Sequence, residues 1–217
     1  MSSAGVAVVS STVRRFRCST LALSLAALVV LALAPLGSAA SAASAPSTLC
    51  AGYQGCRLGT FTTHGYQNVS DRSYWTMYAG DNCTNYVAYV ESSTYAVPAP
   101  TYDLGNGGQW ASAAAAHGVT VNHVPSVGAV AVWTGGASGM SSSGHVAVVE
   151  AVGPRNSYVV VSQQHMIVAD GYDWVRIMRT STANEWENWP TAFIHFPSPV
   201  VTTLEDAVSH VRRAPLP

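Results

Sequence analysis

An α+β domain, with N-terminal helices packed on an antiparallel β-sheet, is the fold this sequence predicts. Helical periodicity appears in the segment after Asp81 and again from about Gln109 to His117, and five short β-like runs follow it. Helices first and strands afterwards indicate an α+β arrangement with an antiparallel sheet. The composition allows a core, since 48% of the 217 residues are hydrophobic and only 10% are charged. That balance excludes a disordered polyelectrolyte.

Taken in order, residues 1–42 read as a secretory signal peptide. Arg14, Arg15 and Arg17 precede an apolar run from Leu21 to Ala34, and small residues follow from Gly37 to Ala45. A basic start, a short apolar stretch and an A-x-A site are the marks of such a leader. Candidate sites end at Ala42 and at Ala45. The run approaches the ~18 apolar residues of a membrane span only when Ser19, Thr20 and Ser24 are counted in it. Cleavage would leave seven arginines against eleven acidic residues, a net charge of −4. The expected product is an exported monomer with no stable membrane association. The ten basic residues of the full chain are all arginine, and its formal charge of −1 gives no basic footprint for nucleic acid.

Residues 43–64 are rich in Gly, Ser and Thr and read as a linker. Within them Cys50 and Cys56 form the simplest disulfide, because export means an oxidising compartment. So short a loop restrains little chain entropy and would pin the segment locally. Cys83 is then the leftover thiol, either buried and inert or reactive for a reason.

From Gly80 the pattern becomes regular. Asp81 can cap a helix whose apolar positions Cys83, Tyr86, Val87 and Val90 follow the 3.6-residue period, and Pro98 and Pro100 end that region. The second helix stops at Gly118. Strands are expected at 128–133, 145–152, 158–163, 174–178 and 193–196, separated by turn clusters such as Gly153-Pro154-Arg155-Asn156. The tail, 198–217, carries a short amphipathic stretch from Leu204 to Val211.

Cys83 would sit two residues after its cap, where orphan N–H groups and the helix dipole favour a thiolate. A nucleophilic cysteine needs a base, and His145, opening a strand directly after Gly144, is the best placed of seven histidines. The strands at 145–152 and 158–163 should form a hairpin. Partner numbers adding to about 308–310 bring Gln163, Gln164 or His165 opposite His145. Glu150 is offset by five residues, hence on the opposite face, and is rejected as the group that orients the imidazole.

Other chemistries lack their residues. No H-E-x-x-H or C-x-x-C spacing supports a metal site, and Asp170 and Asp173 are too few for a calcium loop. No G-x-S-x-G elbow surrounds Ser138 or Ser141, and no lysine is present for a P-loop. No cofactor is expected. Trp75, Trp110, Trp133, Tyr78 and Tyr102 could line a groove, but aromatic residues belong to the core by default.

Five segments in order resemble one family. Gly80-Asp81-Asn82-Cys83-Thr84-Asn85-Tyr86-Val87-Ala88-Tyr89 resembles the nucleophile motif of the CHAP domain, and Gly107-Gly108-Gln109-Trp110-Ala111 its second helix. The runs 125–133 and 144–150 resemble its strand motifs, and 189–196 its ending. The resemblance covers about residues 65–197. It implies a papain-like (NlpC/P60-type) cysteine amidohydrolase acting on peptidoglycan, with Cys83 as nucleophile and His145 as base. The family's third residue is usually Glu, Asp or Asn in a Ser-Glu-x-Asn-like stretch. Here Ser162-Gln163-Gln164-His165 stands there, with Gln163 in the place of Glu and His165 in the place of Asn. A neutral Gln can orient the imidazole but cannot stabilise imidazolium as a carboxylate does. His165 is the alternative third residue. The backbone N–H of Cys83 and the Asn82 side chain would stabilise the oxyanion. Two functions follow: a secreted amidase or endopeptidase, or a non-catalytic wall-binding protein that retains the fold.

Overall fold

The computed structural model describes residues 46–165, 170–180 and 187–199. The expected leader, 1–42, and the stretch from Leu204 to Val211 lie outside the described residues.

The chain enters as a strand, β1 (Ser47–Ala51), and a short helix, α1 (Tyr53–Leu58), joined by the Cys50–Cys56 disulfide. The segment expected to be a linker is therefore built into the fold. A five-residue strand paired with a distant partner leaves no local pattern in the sequence, which is why composition alone suggests a linker there.

Helix α2 (Cys83–Ser93) buries Tyr86, Val87 and Val90 as its periodicity requires. Its cap is Asn82, one residue later than expected. The Asn82 Oδ1 accepts the N–H of Asn85 and the hydroxyl of Thr84, both at 2.9 Å. Cys83 is thus the first helical residue rather than the second after the cap. At the other end Ala96 takes a left-handed conformation, φ 55°, and the Val97 N–H returns to the Glu91 carbonyl at 2.9 Å. Helix α3 (Trp110–Ala116) follows a 3₁₀ turn, Gly107–Gln109, in which Asn106 and Gln109 cap each other reciprocally. It ends at His117, and Gly118 supplies the left-handed exit at φ 79°.

The remaining strands are β2 (Thr120–Asn122), β3 (Val130–Trp133), β4 (His145–Val152), β5 (Tyr158–Gln164), β6 (Tyr172–Met178) and β7 (Ala192–His195). They join β1 in one antiparallel sheet ordered β1-β6-β5-β4-β3-β7-β2. The sequence reading missed β1 and β2, the two edge strands, and found the centre. Val148 faces Ser162 and Val149 faces Val161, within the expected register, before a bulge shifts the pairing. Strands alternate their side chains between faces. The face carrying Val130, Val132, Val146 and Val148 packs under α2 and α3, and the other buries Ala131, Trp133, Ala147, Val149 and Val161. An apolar sheet buried on both sides accounts for the near-continuous valine runs.

Candidate active site

The start of α2 and the start of β4 meet through the main chain. The Cys83 sulfur accepts hydrogen bonds from the backbone N–H of Val146, next to His145, and from those of Thr84 and Cys83 itself. These donors and the helix start favour a thiolate. Burial works against them and is larger, so the thiol pKa is raised. The resting group is a thiol, a correction to the thiolate expected at a helix start.

His145 is 5% exposed, and its Nε2 lies 2.9 Å from Gln163 Oε1. An amide oxygen only accepts, so the proton sits on Nε2 and Nδ1 is the basic nitrogen. Burial chiefly, then the neighbouring His165, pulls the imidazole pKa down to about 3, with the Gln163 bond opposing them. His145 is therefore neutral at physiological pH. His165 takes a different position from the one its alternative role requires. Its ring stacks on His145 at 5.1 Å and 4°, and its Nε2 lies 3.4 Å from Asp173 Oδ2. Gln163 supplies the in-plane acceptor, and its own Nε2 is buried without a partner among the described residues.

The Asn82 amide donates to Tyr78 O at 2.7 Å and to Gly80 O at 3.1 Å. Its two hydrogens are committed to the turn before the helix, which removes it as the expected oxyanion donor. The Cys83 N–H, at the first helical position, has no backbone acceptor within the helix.

Two arrangements around the site carry no sequence signal. Tyr53 stacks on Tyr172 at 4.9 Å, and its hydroxyl reaches Gln164 Oε1 at 3.1 Å and Asp81 Oδ1 at 3.3 Å. Behind α2, Glu150 accepts from Ser162 Oγ at 2.6 Å and pairs with His64 Nε2 at 2.8 Å. Glu150 thus serves the helix-facing side of the sheet, as its parity required. Trp75, Trp110 and Trp133 belong to the core, whereas Tyr78 is 89% exposed on the loop before Cys83. Among the described residues no group of three or more His, Cys, Asp or Glu is placed to hold a metal ion, and no helix is long and apolar enough to cross a membrane.

Residues 72–165 match the family model of the CHAP domain. A Streptococcus mutans protein provisionally named a hydrolase is 44% identical over 61 residues, 28% of this chain and 26% of that protein. The crystal structure of an N-acetylmuramoyl-L-alanine amidase from Staphylococcus aureus superposes with a TM-score of 0.45 at 24% identity, over 55% of this chain and 31% of that one. The crystal structure of Ly7917 gives 0.39 at 16% identity, over 54% and 53% of the two chains. The chain spans about a quarter of the curated relative it matches.

Proposed function

We propose that this chain, whose residues 72–165 match the CHAP family model, is an exported hydrolase that cleaves an amide bond of peptidoglycan with Cys83 as nucleophile. The observation that carries the reading is the placement of a helix-start cysteine against the N–H of Val146, the residue after His145, whose Nε2 is held by Gln163. The match to the CHAP family model and the hydrolase named among its relatives support a hydrolytic activity.

Attack by the Cys83 sulfur on the amide carbonyl gives a tetrahedral oxyanion, which the Cys83 N–H stabilises. The thiol proton passes to His145 Nδ1 and then to the leaving amine. Water, deprotonated by the same imidazole, hydrolyses the thioester and restores the thiol. Because thiol and imidazole are both neutral at rest, proton transfer accompanies attack instead of preceding it. A second reading, a wall-binding protein without turnover, is favoured by one feature: neutral Gln163 beside an imidazole with so low a pKa.

Incubation of the purified protein with peptidoglycan, alongside Cys83→Ala, separates the two. New N-terminal alanine identifies an amidase, and other free amines an endopeptidase. Release that disappears in Cys83→Ala supports the proposal. Sedimentation with the wall and no release, unchanged by the substitution, supports the binding reading and sinks the enzymatic one.

A further inference from the structure

We propose that the disulfide-closed segment Ser47–Leu58, which lies outside the matched CHAP residues, is part of the active site and that the Tyr53 hydroxyl is a positioning group for it. The inference rests on the Cys83–His145 site proposed above.

The segment is anchored four times. β1 adds to the edge of β6, from Ser47 opposite Arg176 to Ala51 opposite Asp173. Gly52 turns the chain at φ 69° and donates its N–H to Tyr172 O at 2.7 Å. A Cβ there would lie 2.8 Å from Asp170 Oδ2, so only glycine admits that carboxylate. Asp170 in turn accepts the Tyr53 N–H on both oxygens, at 2.9 and 3.1 Å. The disulfide then ties the fully buried Cys56 back to β1.

These anchors leave the Tyr53 side chain one place to go. It stacks on Tyr172, and its hydroxyl stands between Asp81 and Gln164. Those two acceptors belong to opposite sides of the site. Asp81 directly precedes the Asn82 cap and Cys83, and Gln164 directly follows Gln163, which holds His145. Burial, reinforced by Asp81, raises the phenol pKa, so the group remains a hydrogen donor across the usable pH range. One donor shared between two acceptors links the loop that aims the sulfur to the strand that aims the imidazole. Misplacement of either by about 1 Å is enough to cost on the order of a hundredfold in rate. Tyr53 acts through Asp81 and Gln164, by setting the spacing between Cys83 and His145.

Tyr53→Phe keeps the stack and removes the hydroxyl. The rate at which iodoacetamide alkylates Cys83, followed against pH by mass spectrometry, reports the thiol and its base without any wall substrate. Tyr53→Phe is expected to slow alkylation and kcat by about tenfold and leave KM within about twofold, with a displaced pH profile. The double variant Cys50→Ser/Cys56→Ser is expected to show the same losses through the released segment. Alkylation by Tyr53→Phe at the wild-type rate and pH profile overturns the inference. If the wild-type protein releases nothing from peptidoglycan, the hydrolase reading fails, and the alkylation comparison still decides the role of Tyr53.

Discussion

The proposed chemistry turns on how strong a base His145 is. Its imidazole is buried and its Nε2 partner, Gln163, is uncharged, so that bond adds no charge to stabilise the protonated ring. A carboxylate in the same place would accept the same Nε2–H and add an attractive charge. Gln163→Glu is therefore expected to raise the imidazole pKa and to speed Cys83 alkylation near pH 7 by about tenfold, the equivalent of roughly one unit of basicity. An unchanged rate and pH profile would mean that Gln163 does not control the base. Asn82→Ala would remove the helix cap and both donations to the preceding turn, with an expected loss of about 1–2 kcal/mol in denaturant unfolding. At this scale the places of Cys83 and His145 were legible because each opens an element and sits in a recognisable run. Tyr53 was not, since its hydroxyl partner Gln164 is 111 residues away and no periodicity links them.

The elements show where periodicity suffices and where it does not. β4 runs from His145 to Val152 as the sequence predicts, because a long apolar alternation between a glycine-rich loop and a Gly-Pro turn admits few other readings. The edge strands β1 and β2, of five and three residues, depend on partners supplied by β6 and β7 and are invisible locally. The shift of the α2 cap from Asp81 to Asn82 has a similar origin. Both residue types cap well, and the choice is made by the turn carbonyls of Tyr78 and Gly80 that only Asn can satisfy as a donor. Beyond the C-terminus of α2, Ala96 holds φ 55°, a conformation costing an L residue about 1–2 kcal/mol. Glycine avoids that penalty and loses about 0.5–1 kcal/mol in chain entropy. Ala96→Gly should therefore stabilise the protein by about 0.5–1 kcal/mol in urea unfolding, and a destabilisation of that size would show that the Ala96 methyl makes compensating contacts.

Across the whole molecule, the layers that bury the sheet also bury two titratable groups with opposite consequences for pH. His145 has a folded pKa of about 3 against 6.5 when unfolded, so the unfolded chain takes up the proton first. Its neutral form contributes stability that is complete above about 6.5 and is lost as pH falls toward 3. Glu91, 1% exposed, behaves in reverse. Burial, then repulsion from Glu150, raises its folded pKa to about 8 from 4.5, and its Oε1 has no partner among the described residues. The folded protein holds that proton where the unfolded chain releases it, so stability is lost as pH rises from 4.5 to about 8. The two limbs oppose each other between 4.5 and 6.5 and leave Glu91 dominant above. Glu91→Gln keeps the shape and cannot ionise. Its melting temperature should match or slightly exceed the wild type's near pH 4.5, and the margin should widen steadily toward pH 8. A constant difference at all pH values would mean that Glu91 is ionised in the folded protein, with a partner other than Glu150 and His64 compensating its charge.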